Sequence, residues 1–120
     1  MFRFRKCDHL LRPADFRRVF GRRRSVRDDW LIVHGCENEL ERLRLGLSVS
    51  RKVGNAVFRN RLRRLYREAF RLSRGDMPTG LDLVLIPRSL REPTLLELTE
   101  SLPRLVRALA GKLGRESRSS

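Results

Sequence analysis

The sequence predicts a single α+β domain in which three helices pack against a small mixed sheet. Three observations lead there. The chain has 120 residues, 40% of them apolar, which is enough for one compact core and too little for two. Segments of period 3.6 and period two alternate in the order helix, strand, strand, helix, strand, helix, with room for one further short strand. No internal repeat interrupts that order. The expected layout is a basic arm over residues 1–12, the domain over 13–113, and a tail over 114–120 that is expected to be disordered.

Pro13 opens the first helix, Pro13–Phe20, where Phe16, Val19 and Phe20 share one face at i, i+3 and i+4. The basic run Gly21-Arg22-Arg23-Arg24-Ser25 ends it and begins a loop. Trp30–His34 alternates as a strand, with Trp30, Ile32 and His34 on one side and Leu31 and Val33 on the other. After the acidic turn Glu37–Glu41 comes the clearest strand, Arg42–Ser50. Leu43, Leu45, Leu47 and Val49 form its core face. Arg44, Gly46, Ser48 and Ser50 form a small, polar opposite face, which suits an open groove better than a packed layer.

Arg51-Lys52-Val53-Gly54-Asn55 turns the chain into a long helix from Ala56 to about Arg74, with Asn55 as its N-cap. Phe58, Leu62, Leu65, Ala69 and Leu72 fall in one apolar arc of this helix, and arginines fill most of the opposite arc. Leu81–Ile86 reads as a buried strand ended by Pro87. A final helix from about Pro93 to Lys112 starts with a Thr94/Glu97 capping box and carries the stripe Leu95, Leu98, Leu102, Leu105, Val106 and Leu109.

Charge narrows the function classes. Lys plus Arg number 28 against 14 Asp plus Glu, a formal net charge of +14. So large a field of one sign is tolerable when a polyanion neutralises it, and nucleic acid leads the partners it implies. A membrane is not expected, because no apolar run approaches the ~18 residues of a spanning helix. The N-terminal Met1–Asp8 has positive charge but no apolar stretch behind it, unlike a secretory signal. Cys7 and Cys36 make no disulfide framework, so a reducing, cytoplasmic setting is expected.

The charge is also localised. Residues 51–74 contain nine basic residues and the single acid Glu68. Arg59, Arg63 and Arg67 are spaced i, i+4 and i+8, so their guanidinium groups succeed one another roughly every 6 Å along the axis. Like charges at i, i+4 destabilise an isolated helix by a few tenths of a kcal/mol per pair, so a face of one sign points to a bound polyanion. A catalytic constellation is not expected. The carboxylates are scattered, Asp28-Asp29 reads as a solvated turn, and Cys7 with His9 is half of a zinc site without its other half.

The run from Gly46-Leu-Ser-Val-Ser through Arg51-Lys52-Val-Gly-Asn-Ala-Val to Arg59-Asn60-Arg61 and on to Phe70 resembles the signature of the bacterial ribonuclease P protein subunit. Asp15-Phe16-Arg-Arg-Val-Phe20 is similar to that family's first helix, and the resemblance spans roughly Leu10 to Phe70. Arg51, Arg63 and Arg64 stand where lysine is often found, and His34 where tyrosine is often found. The resemblance implies the fold of a ribosomal-protein domain with a left-handed βαβ crossover. It also implies an endoribonuclease subunit that removes the 5′ leader of precursor tRNA, with the chemistry carried out by a catalytic RNA and its Mg²⁺. No catalytic residue, metal site or tightly held cofactor is then expected on this chain, and no DNA partner.

By the same resemblance, the catalytic RNA is gripped by Arg51, Lys52, Asn55, Arg59, Asn60, Arg61, Arg63, Arg64 and Arg67. The single-stranded leader is held by Phe16, Phe20, Ile32, His34, Arg44 and Ser48. On residue type alone, Phe16 and Phe20 suit core packing and stacking equally. Arg22, Arg23 and Arg24 equally suit phosphate contacts and solvated charge. A ribosomal or other structural RNA-binding protein is the alternative; it would share the basic helix and need no groove. A metal-dependent nuclease and a duplex-DNA binder are more distant rivals.

Overall fold

A computed structural model describes residue 9, residues 12–88 and residues 91–118. The arm expected over 1–12 lies outside these except at His9 and Arg12, as do Cys7 and the last two residues. The elements are α1 (Pro13–Gly21), β1 (Ser25–Arg27), β2 (Leu31–Glu37), β3 (Arg44–Leu47), α2 (Ala56–Ser73), β4 (Leu81–Pro87) and α3 (Leu95–Arg118). The strands form one mixed sheet in the order β1-β2-β4-β3. β4 is antiparallel to β2 and parallel to β3, so α2 is the crossover between two parallel neighbours.

The sheet separates two apolar clusters. On one face, Leu31 and Val33, Leu43 and Leu45, and Leu81, Leu83 and Leu85 meet Leu62, Tyr66, Ala69 and Phe70 of α2. Leu98, Leu102, Leu105, Val106, Leu109 and Leu113 of α3 complete that core. On the other face, the short helix α1 places Val19 against Cys36 and Val84, with Phe16 and Ile86 beside them. β4 is therefore buried on both sides, which explains its near-continuous apolar run.

Local signals set the element ends. Asn55 Oδ1 accepts from the Phe58 amide at 2.9 Å, the expected N-cap of α2. The Thr94/Glu97 capping box closes reciprocally at 2.9 and 3.1 Å. Three expectations need correction. β3 pairs only over Arg44–Leu47, because further parallel pairing would run into Pro87, which has no N–H to give. β2 continues to Glu37 through Gly35, whose lack of a side chain admits α3: a Cβ there would collide with Leu109 Cδ2. The further short strand for which the sequence leaves room is the three-residue edge strand β1, in the loop after α1. Finally, α3 continues to Arg118, past the Lys112 end and into the residues assigned to a tail.

The buried face of α2 is Leu62, Tyr66, Ala69, Phe70 and Ser73, rotated by roughly 60° from the expected arc. Leu72, expected in the core, is 49% exposed. The two aromatic rings decide this rotation, since burying Tyr66 and Phe70 removes more apolar surface from water than burying Leu72 and Phe58 would. No helix among the described residues is long and apolar enough to cross a membrane.

Candidate nucleic-acid interface

Rotating α2 reassigns its charged face. Arg64 and Arg67 are the most outward arginines, both exposed and neither making an ion pair or hydrogen bond among the described residues. Arg51 and Lys52, exposed in the 3-10 turn Arg51–Val53 that precedes α2, are equally unpaired there. Arg59 and Arg63 flank this face half-buried. Arg59 Nε donates to the Gly54 carbonyl at 3.2 Å. Arg63 donates to Asn60 Oδ1 at 2.9 Å and to the Val49 carbonyl at 3.4 Å. These contacts leave guanidinium donors free on both residues.

Other members of the expected ridge have partners on the protein. Arg61 pairs with Glu92 at 2.8 Å and lies 5.8 Å from the Phe58 ring centroid. Arg71 is tied to Glu68, and Arg74 donates to the Leu43 carbonyl at 3.4 Å. Asn55 has its side-chain oxygen occupied by the helix cap. The exposed cations therefore cluster on the turn and the first two-thirds of α2.

The second surface is the α1 face of the sheet. Strand register places Arg27, Ile32 and Ile86 in one row across β1, β2 and β4, and Ser48, one residue past β3, continues it, its amide donating to the Leu85 carbonyl at 3.0 Å. Ser25, His34, Val84 and Gly46 make the next row, and Cys36, Asp82 and Arg44 the third. α1 covers the third row and part of the second, leaving the first row uncovered by the described elements and half-exposed beside Phe16 and Phe20. Phe20 is exposed and meets the His34 ring edge-on, with centroids 5.0 Å apart and planes 71° apart. Burial lowers the His34 pKa, so the ring is neutral near pH 7, and its buried Nδ1 makes no hydrogen bond. Phe16 is half-buried against Val19 and Val84, and so serves both packing and the groove wall. Ile86, at the end of the strand expected to be buried, is only half-buried and borders this row.

Arg44 differs from its expected role. Its Nε and Nη2 grip Asp82 Oδ1 and Oδ2, both at 2.7 Å. Asp82 is fully buried and also accepts from Asn38 at 2.9 Å and from Arg18 of α1. Asp15 adds a 3.9 Å contact to Arg44 and a 3.2 Å bond with Arg18. This cluster fastens α1 over the sheet, so Arg44 sets the groove by holding its wall. Asp82 was missed, although a lone carboxylate inside an apolar strand is itself a signal of a buried ion pair.

Asp28 was likewise misread as part of a solvated turn. It accepts from the Trp30 and Leu31 amides at 2.9 and 3.0 Å, from Ser101, and from Arg104 at 2.9 Å. Burial raises its pKa, but those donors outweigh burial and bring it below the usual carboxyl value. Trp30 sits with the main core beneath Arg91, 4.5 Å from ring centroid to guanidinium carbon, and takes no part in the groove. Arg22 bonds Glu37 at 3.2 Å. Among the described residues, no three His, Cys, Asp or Glu side chains converge on a common point.

The family model for ribonuclease P matches residues 4–110. The chain belongs to the ribonuclease P protein family. It is 40% identical to the ribonuclease P protein component of Alkaliphilus metalliredigens over 101 residues, 83% of this chain and 91% of that one. The ribonuclease P protein of Staphylococcus aureus superposes with a TM-score of 0.73 at 33% identity, covering 86% of this chain and 95% of that structure. The ribonuclease P protein of Thermotoga maritima does so with 0.71 at 35% identity, covering 81% and 94%. As a ribonuclease P protein, the chain is an RNA-binding component of an endoribonuclease complex in tRNA processing. The α1 groove and the arginine face are both built within the matched segment.

Proposed function

We propose that the chain binds the catalytic RNA of ribonuclease P through Arg51, Lys52, Arg64 and Arg67, flanked by Arg59, Asn60, Arg61 and Arg63. The single-stranded 5′ leader of precursor tRNA then lies in the groove of Phe16, Phe20, Ile32, His34, Ser48 and Ile86. One observation carries the reading: the unpaired cations and the open groove are joined by a single turn, Ser48–Asn55. One polyanion on α2 and a second on the sheet face would thus be held side by side. Fixed positive charge between them replaces part of the Mg²⁺ that two repelling RNAs otherwise need.

The groove suits a single strand. It offers rings and aliphatic surface on which bases stack, with few side-chain donors aimed at base edges. His34 contributes a flat neutral ring, so leader affinity should vary little between pH 7 and 8. No bond-making group is required of the protein, since the RNA and its metal ions supply the hydrolysis, and the reducing cytoplasm is the setting that fits.

Reconstitution tests the proposal. Added to a bacterial ribonuclease P RNA at low Mg²⁺, the chain should restore cleavage at the mature 5′ end of precursor tRNA. Phe16→Ala should weaken binding of leader-bearing substrate and leave mature tRNA almost unchanged. Failure to stimulate cleavage would return the chain to structural RNA binding. An unfolded Phe16→Ala would show that ring to be core and the groove misplaced.

A further inference from the structure

The open row of the sheet face does not stop at its edge. β3 has its outer side bridged by His9, which pairs with Leu45, so β1 is the sheet edge left open among the described residues. At that edge lies a cavity of about 430 Å³ between β1 and α3. Its apolar walls are Val26, Ile32, Leu105 and Ala108, and two cations, Arg27 and Lys112, stand at it. It straddles the sheet. Val26 and Leu105 belong to the α3 side, while Ile32 and Arg27 belong to the row that floors the groove.

Polar groups at the edge face the same space. The Arg24–Gly35 and Asp28–Leu31 hydrogen bonds fix which β1 residues bond to β2. Ser25 and Arg27 fall between them, so their N–H and C=O groups point outward. Lys112 Nζ donates to the Ser25 carbonyl at 3.0 Å and keeps two further donors. Arg27 is exposed and makes no hydrogen bond or ion pair among the described residues.

We infer that a single-stranded RNA crossing the open row continues around β1, placing a base in the β1–α3 cavity and phosphates on Arg27 and Lys112. This rests on reading the groove as a single-strand site, and extends it by a second foothold. From Ser48 to Arg27 is three strand spacings, on the order of 14 Å, which only a few nucleotides span. An aliphatic slot with cations at its mouth matches a nucleotide, apolar on its faces and anionic at its phosphate. An acidic peptide added as a fifth strand fits less well, because β1 offers only three residues and Lys112 already caps the Ser25 carbonyl.

The test uses the full chain and fluorescent oligouridylates of about four and about ten nucleotides, a range that brackets single-strand site sizes. The longer strand should bind about tenfold more tightly at low salt. Arg27→Ala with Lys112→Ala should bring it down to the level of the shorter one. The salt slope for the longer strand should fall by about 1.4, or ~0.7 per lost phosphate contact. Ala108→Trp fills the cavity without changing charge and should do the same to affinity, with an unchanged melting temperature. The shorter strand should lose less affinity than the longer one in either variant, and Phe16→Ala should weaken both strands.

If the longer strand ignores Arg27, Lys112 and Ala108 while the shorter one still depends on Phe16, the extension is wrong and the groove stands. If neither strand depends on Phe16, the groove reading fails first. Displacement of the longer strand alone by polyglutamate would assign the cavity to an acidic peptide, and so overturn the inference. Should Ala108→Trp unfold the chain, the charge variants and their salt slope still decide.

Discussion

Replacing Asp82 with alanine removes a fully buried carboxylate that fastens α1, β3 and the β2–β3 turn together. Two of its bonds run to Arg44 at 2.7 Å each and one to Asn38 at 2.9 Å, with Arg18 as a fourth partner. Truncating one side of a buried charge pair costs about 3–5 kcal/mol, because the surviving charge is left desolvated. Arg44 is in that position, with only a fifth of its side chain exposed. Out of a typical domain stability of about 5–15 kcal/mol, the loss is large. For a chain of this length it should lower the melting temperature by about 12–20 °C, measurable by circular dichroism. The double change Asp82→Leu with Arg44→Met should recover most of that loss, since apolar replacements of similar volume are often neutral or better than a buried ion pair. A drop of under about 4 °C for Asp82→Ala would refute the account. So would a double variant no more stable than the single, since removing the stranded Arg44 charge would then have recovered nothing.

Three further outcomes follow from the geometry. Arg64→Ala with Arg67→Ala should flatten the salt dependence of catalytic-RNA binding by about two units in filter binding, with little change in melting temperature, since both side chains are exposed and neither makes an ion pair or hydrogen bond among the described residues. Gly35→Ala should destabilise by about 1–3 kcal/mol in urea titration, because the new methyl must displace Leu109 between two packed elements. Asp28→Asn should cost about 1–2 kcal/mol at pH 7, where the wild-type carboxylate is charged and bonded to Ser101 and Arg104. The Asp28 pKa lies lower in the folded chain than the ordinary 3.8, so its contribution is present above that value and lost as pH falls through the folded one. Wild type and variant should therefore converge in stability only below about pH 3.8.

Features written in neighbouring residues were the legible ones. The start of α2 at Asn55, the capping box at Thr94 and the buried strand at Leu81 each depend on a few adjacent side chains. Phe16, Phe20, Ile32, His34 and Ser48 do share one face, because strand alternation and helical spacing are local rules. Features set by partners distant in sequence were not legible. Arg44 reads as a free cation until β3 is laid beside β4 and Asp82 falls opposite it. Asp28 reads as solvent-facing until α3 brings Ser101 and Arg104 to it. The rotation of α2 escaped for a related reason: an apolar arc of leucines and one of aromatics are both helical, and only the opposing surface chooses between them. Gly35 looked like a strand terminus because its need for α3's close approach is tertiary.

The tethering of Arg59 to the Gly54 carbonyl and of Arg63 to Asn60 and the Val49 carbonyl bears on how quickly and cheaply a folded RNA is captured. A long guanidinium side chain free in water gives up about 2 kcal/mol of rotamer entropy when a phosphate immobilises it. For these two residues, folding has already fixed the side chain, so docking draws on that reservoir only at Arg64, Arg67, Arg51 and Lys52. Rigid cations beside swinging ones divide the labour. On the proposed reading, the first pair would define where a phosphate must sit, and the second group would adapt to whichever backbone trace arrives.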